Sequence, residues 1–579
     1  IEEDNVVLFR PGGAFAATAS DPAVPVSQTL AYAGIDHRFS DAHSLRTKVM
    51  YERYRQQNFR VGGVADLTAG MDLDRDNFNL TGTHVWSLGG GAVNQLSVQL
   101  GRRKFDEPNN SGALAEYFSS GNTLQTGANI TGDQTDTGTV FEVRETYTRR
   151  LGSGRWAVDL KLGGAWQHVK DEWNFPVYPQ DLMIYVTDTR ALPLLFVDAS
   201  GSGASTITTD LLSGFVQADL RPASHLTLQL GLRYDLDTQG NNPDFTSPLQ
   251  PDGRGRDANN LQPRAGLSWD VTGQGRHVLR GGVGVFTGRF LLVPSHVELQ
   301  QNGFTGRIIQ QRLNGAVIGV PALALNPANP TATGVPLPRD ATRLDSTLVN
   351  PHTVQATVGY TARLGGSGLY ADIEGIYVRG EDEVIIRDLN WSGNATRTRP
   401  NRTFNQINTY TNEGRSRYRA LVASLRGTIA GGHIVTASYT LADKKNINDD
   451  FSPALTDYPN DPAAIEAEYG RSRADERHRF VASGVFNLPW RFQVAPVFEY
   501  GSGQPWNHRL GYDFNGDGKN SDRPADVPRF NEEGPDFVSV NLRLMHRLPV
   551  GKADLTLIAE VFNLLNRDNN DVNSIFNGE

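Results

Sequence analysis

Side-chain character alternates with a period of two along most of this chain, and that alternation fixes its fold class. In "HLTLQLGLRYDL", residues 225–236, Leu226, Leu228, Leu230, Leu232, Tyr234 and Leu236 share one face. Thr227, Gln229, Gly231, Arg233 and Asp235 share the other. Successive strand residues point to opposite faces, so the pattern is that of a β-strand with one apolar and one polar side. In "RWAVDLKLGGAWQ", residues 155–167, Trp156, Val158, Leu160, Leu162, Gly164 and Trp166 oppose Asp159, Lys161 and Gln167. At about 3.3 Å per residue and a tilt of about 40°, Trp156 and Trp166 stand roughly 25 Å apart along a barrel axis, the height of an outer-membrane apolar band with an aromatic girdle at each rim. A soluble sandwich strand with two core tryptophans has the same sequence, so one strand does not decide.

The connections do. Short turns recur at 37–45, 87–95, 150–156, 220–226, 271–277, 363–369, 427–433, 487–491 and 548–553, each between two alternating strands. Between consecutive hairpins lie long polar stretches rich in Gly, Asn, Asp and Pro, among them 105–138, 170–207, 289–349, 381–413, 445–475 and 502–535. Short turns at one end and long loops at the other are the layout of an outer-membrane barrel, with periplasmic turns and extracellular loops. Nine hairpins give eighteen strands, and "NVVLFRP" at 5–11 is expected to add a nineteenth. The fold class read here is all-β, a large antiparallel transmembrane β-barrel, with residues 1–579 forming one domain because a barrel grows by adding strands.

Composition agrees. The 579 residues carry a net charge of −9, with no basic arm or face for nucleic acid. There is no cysteine, hence no disulfide, thiolate metal site or Cys nucleophile. No apolar run is long enough for a transmembrane helix. The mean hydropathy of −0.41 is compatible with a membrane barrel, in which only alternate strand residues must be apolar. "IEEDNVVLF" carries no signal peptide and opens in mid-sequence, so a longer precursor is expected.

"YDFNGDGKNSDRP", residues 512–524, looks like the front half of a calcium loop. Asp513, Asn515 and Asp517 alternate as oxygen ligands and Gly518 provides the sharp turn. An EF-hand would place Glu at position 12; here that position is Pro524, and Asp522 stands at position 10. Asp513, Asn515, Asp517 and Asp522, with the Lys519 carbonyl, are the expected ligands of a structural Ca2+ on the extracellular side, against the alternative of a metal-free Asx/Gly turn. A second acidic run, Asp72, Asp74 and Asp76, reads as a solvated rim.

No enzyme motif emerges. There is no H-E-x-x-H and no G-x-S-x-G, and "GGVGVF" at 281–286 lacks the helix and Lys-Ser/Thr of a phosphate loop. His478 reads as a lumen or rim residue. Arg233, Asp235, Asp159, Lys161, Arg543 and Glu560 read as a polar wet interior.

Several stretches resemble the barrel of TonB-dependent receptors, most closely the Oar-like group, whose precursors often carry a carboxypeptidase-regulatory-like domain. They are 261–286, 350–364, 414–427, 437–450, 475–489 and "AEVFNLLNRDN" at 559–569, with the "DFNGDGKNSDRP" loop, and they cover most of the chain from about residue 27 in the family's order. The resemblance implies a barrel of about 22 strands around an N-terminal plug. No plug or TonB box is visible here, and "SIFNGE" is not a terminal strand ending in an aromatic residue. The plug, the first strands and the last strand are therefore expected to be missing from this stretch. The implied function is energised uptake of a scarce or bulky nutrient across a Gram-negative outer membrane, with the TonB complex and membrane lipid as partners. The alternatives are a structural or adhesive surface protein whose loops meet an external partner, and a passive pore.

Overall fold

The computed structural model describes all residues except 1, 4, 155–156, 315–337, 367, 450–457, 512, 520, 525 and 570–579. Its frame is a wall of eighteen long strands. The first six are β1 (Val26–Arg38), β2 (His43–Phe59), β3 (Met71–Gly89), β4 (Ala92–Glu107), β5 (Gln134–Leu151) and β6 (Val158–Asn174). Then come β7 (Ala204–Ala223), β8 (Leu226–Asp237), β9 (Leu261–Asp270), β10 (His277–Thr287), β11 (His352–Arg363) and β12 (Gly368–Asp388). The last are β13 (Phe404–Ile429), β14 (His433–Asn446), β15 (His478–Asn487), β16 (Phe492–Gly501), β17 (Phe537–Val550) and β18 (Ala553–Val561). Each pairs antiparallel with its sequence neighbours. Among the described residues no pairing of β18 with β1 closes the wall.

All nine predicted turns join the strands they were expected to join. In the two-residue β3–β4 turn Gly90 and Gly91 adopt φ of 58° and 78°, the left-handed pair that matches strand twist. The opposite end carries the long connections, including 60–70 and 238–260 besides those read from the sequence.

The alternation sorts as expected. Leu230 on β8 is 54% exposed, and Leu232, Val216, Val283, Val358, Ile373 and Leu421 are exposed on the same outer face of the wall. The inner face holds polar groups. Arg233 lies 2.7 Å from Asp235, Arg221 lies 2.7 Å from Asp159, and Arg543 lies 3.4 Å from Glu560. Trp166 is on the outer face, its Nε1 donating to Asp210 at 2.9 Å; its predicted girdle partner Trp156 lies outside the described residues.

One expectation fails. Residues 5–11 add no nineteenth wall strand. They make only isolated bridges, Val6 to Ala23 and Phe9 to Ser20 and Gly63. "VVLF" lacks alternation, and Phe9 is drawn into an apolar cluster with Phe118, Met183, Tyr185 and Phe196 above the wall.

A lipid-facing position tolerates no charge, whereas a lumen-facing one does. Leu230→Arg is expected to lower folding stability in vesicles by about 2–4 kcal/mol, and Gln229→Arg one residue away to leave it nearly unchanged. Urea titration of the refolded barrel, read by the heat-dependent gel shift, checks both.

Candidate functional site

The long connections build a second layer over the mouth of the barrel. Residues Leu124–Thr126 pair with Ala115–Phe118, which pair in parallel with Leu182–Tyr185. The ladder continues through Pro193–Ser200 and Ile308–Leu313 to Arg339–Leu344, and ends in parallel pairing with the upper part of β13. Three separate connections and one wall strand thus share one sheet. Its Leu344 and Tyr410 pack with Phe290, Leu348 and Ile386 from the adjoining connections and β12.

The one α-helix among the described residues, α1 (Leu292–Gln301), folds inward from the 288–351 connection. Its buried residues are largely polar: Ser295, His296, Glu298 and Gln300. Each finds a partner on the wall or in a neighbouring loop. Arg254 from the 238–260 connection lies 2.6 Å from Glu298, with neither side chain exposed. Glu298 also accepts from Asn242 Nδ2 at 3.1 Å and from the Leu344 amide at 2.8 Å. Burial pushes its carboxyl up from the usual range, and Arg254 opposes that shift. Removing one partner of such a pair leaves a bare buried charge, which costs about 3–5 kcal/mol. His296 Nδ1 lies 2.7 Å from Ser205 Oγ, and its Nε2 lies 3.5 Å from Asp171 on β6. Gln300 donates to the Trp173 carbonyl at 2.9 Å. These bonds fasten the helix from β10 across to β6 and β7. Beside it a cavity of about 360 Å³ opens among Arg289, Phe290, Pro294, Glu383, Ser416 and Lys444.

The sequence offered no signal for this helix. "LVPSHVELQQ" sits inside a polar stretch and has no apolar stripe, because the groups it buries are hydrogen-bonded rather than hydrophobic.

The calcium-type loop lies in the connection between β16 and β17, at the same end as the other long loops. Its carboxylates are tied to the loop's own backbone. Asp513 accepts from the amides of Gly516 at 2.6 Å, Asp517 at 3.1 Å and Gly518 at 2.9 Å. Asp522 accepts from Phe514 at 2.5 Å and Asn515 at 2.9 Å; Asp517 accepts from Lys519 at 2.8 Å. Asn515 accepts from the Asp517 amide and donates to the Asn460 carbonyl, at 2.8 and 2.9 Å. Lys519 donates its Nζ to Gln406 at 2.7 Å and sits 4.0 Å above the Tyr458 ring. Arg399 donates to the Asp517 carbonyl at 2.5 Å, and Arg523 pairs with Glu468 at 2.7 Å in a nearly buried bridge. The loop is thereby pinned to the 389–403 and 447–477 connections.

Asn515, Asp517 and Asp522 are buried. Burial, with the neighbouring Asp522 and Asp513 charges, pushes the Asp517 carboxyl up to about 6, and burial raises Asp522 as well. Among the described residues no three His, Cys, Asp or Glu side chains converge as a ready-made metal cage. The donor set is all oxygen, suited to a hard cation.

The second acidic run stands at the rim as read: Asp74 lies 2.9 Å from Arg55, Asp76 lies 3.6 Å from Arg53, and Asp72 accepts from the Asn58 amide. His478 is also at the rim, 2.8 Å from Tyr439 Oη.

A wall of membrane-tall strands with an apolar outer face, a polar lumen and loops gathered at one end defines an outer-membrane β-barrel. Residues 22–533 match the family described as "Outer membrane beta barrel domain", and the chain belongs to that family and to the bacterial outer membrane. No curated protein sequence matches it. Among solved structures it is similar to the outer membrane transporter YddB from Escherichia coli, at 12% identity and TM-score 0.68, covering 98% of this chain and 68% of that one. The siderophore receptor PirA from Acinetobacter baumannii matches at 12% identity and TM-score 0.59, covering 95% and 68%. The ferric enterobactin receptor PfeA from Pseudomonas aeruginosa matches at 12% identity and TM-score 0.58, covering 96% and 67%. These likenesses establish a shared barrel fold.

Proposed function

We propose that this barrel serves energised uptake of a scarce or bulky nutrient across the outer membrane, gated by a plug and driven through the TonB complex. The observation that carries the reading is the likeness over nearly the whole chain to a transporter and to siderophore receptors. The inward-folded α1 and the cavity beside it supply a mouth able to hold a solute before entry. No covalent chemistry is involved; the work is binding and rearrangement. The stretches 261–286, 350–364, 414–427, 437–450, 475–489 and 559–569 support the Oar-like group within this reading.

A second reading is a surface protein whose loops dock an external partner. The sheet shared by three connections favours it, since such a platform presents a fixed surface. Comparing culture media of the parent, a deletion strain and a TonB-deficient strain separates the two. Uptake predicts one solute class left behind by both mutants. Unchanged media with altered contact between cells would overturn uptake and favour the surface role.

We also infer that Asp513, Asn515, Asp517, Asp522 and the Lys519 carbonyl hold a Ca2+ that stiffens the extracellular loop. Three carboxylates lie within ten residues, and Arg523, which follows Asp522 in sequence, is committed to Glu468. Asp517 titrates near 6 when folded against about 3.9 in an open chain. Its neutral form therefore favours the folded loop below about pH 4, and that contribution is lost as pH rises through about 6. In chelator the amides of 513–519 should lose hydrogen-exchange protection between pH 4 and 7, and Ca2+ should restore it at pH 7. Protection at pH 7 indifferent to both chelator and Ca2+ would refute the metal.

A further inference from the structure

Like charges placed directly opposite each other on neighbouring strands repel, so a sheet normally sets a cation against an acid. The rim of β2 and β3 obeys this, with Arg53 and Arg55 facing Asp76 and Asp74. The rim of β12 to β14 does not. There the register sets Arg379 opposite Arg417, and Arg417 opposite Lys445. The adjoining rung toward the membrane reads Tyr377, Arg419 and Asp443.

All of these side chains lie on the outer face. They share the parity of Leu421 and Leu441, which are exposed, whereas Ala420 and Ala442 between them are buried. Acids offset only part of the charge. Glu381 pairs with Arg379, and Asp443 is shared between Arg417 at 3.2 Å and Arg477 at 3.5 Å. Among the described residues no acid lies in ion-pair range of Arg419 or Lys445, and Arg419 instead stacks 5.8 Å from the Tyr377 ring.

Height identifies what this patch meets. Arg379, Arg417 and Lys445 stand about a dozen residues above their short turns, roughly 30 Å along the barrel axis for tilted strands, just past the outer edge of an apolar band about 25 Å tall. Immediately below, Ile373, Leu421, Leu441 and Tyr439 are exposed to the hydrocarbon. The patch therefore sits at the headgroup level of the outer leaflet.

We propose that Arg379, Arg417, Arg419, Lys445 and Arg477 bind the phosphate groups of a phosphorylated lipid of the outer leaflet, whose acyl chains lie along Ile373, Leu421 and Leu441. A polyanionic headgroup removes the repulsion along the rung, and the apolar belt beneath holds the chains that a soluble anion lacks. Basic residues at a membrane surface attract anionic headgroups additively.

The test uses the full chain purified from native membranes in a zwitterionic detergent. Native mass spectrometry and phosphorus assay measure the bound phosphorylated lipid. The variant Arg417→Gln/Arg419→Gln/Lys445→Gln should retain about tenfold less than wild type, and Arg53→Gln/Arg55→Gln should retain as much as wild type. The bound lipid should resist displacement by millimolar inorganic phosphate, and its dephosphorylated form should not rebind. Equal retention by the folded triple variant would overturn the proposal. So would ready displacement by inorganic phosphate, which would mark a site for soluble anions. Should the triple variant fail to give the heat-dependent gel shift, Lys445→Gln alone, which removes no ion pair, carries the same comparison.

Discussion

Inside hydrocarbon an unpaired backbone N–H or C=O has no water to turn to, and this requirement governs the whole architecture. Every wall strand but the first and the last meets it by pairing with both sequence neighbours, so the chain runs up and down through eighteen strands. The same requirement puts irregular segments outside the lipid. Short turns suffice at one end, and everything without a ladder collects at the other. The two free edges of the described wall run in opposite directions, since β1 starts at the loop end and β18 finishes there. Antiparallel closure therefore takes direct pairing of β1 with β18, or an even number of strands between them.

Beyond the lipid the rules change. The loops can bury backbone against each other, and they use polar bonds as much as apolar packing. Arg254–Glu298 and Arg523–Glu468 are buried pairs between separate connections, and each holds a loop to a neighbour distant in sequence. Such pairs contribute less to stability than to fixing one arrangement among many, because desolvation consumes most of their attraction. The extracellular layer thus has one defined shape, which both a solute-binding mouth and a docking platform require.

How much of this the residues declare follows from the range of the interactions involved. Alternation and turn chemistry are local, so the face assignment of Leu226 to Leu236 and all nine hairpins are legible in the sequence. Segment 5–11 misleads because Phe9 serves a cluster shared with two loop connections, while Val6 and Leu8 are exposed. Helix α1 is hidden because its buried face is polar, and its partners Arg254, Ser205 and Asp171 come from other strands and loops. The Asp513–Asp522 loop shows its spacing plainly, but the contacts that pin it, to Gln406, Arg399 and Asn460, lie about 55 to 120 residues away. The Arg379–Arg417–Lys445 rung becomes visible only once the register is known.

Both uptake and surface docking depend on the sidedness of the wall. The chain has no cysteine, so single cysteines report it without background. Ala395 is exposed in the 389–403 connection, and Gln274 is exposed in the turn between β9 and β10. Ala395→Cys and Gln274→Cys, labelled on intact cells with a membrane-impermeant maleimide, give the most direct measurement. Labelling of Ala395→Cys on intact cells, with Gln274→Cys labelled only after the outer membrane is opened, is the predicted result. Equal labelling of both on intact cells, or the reverse order, would contradict the account.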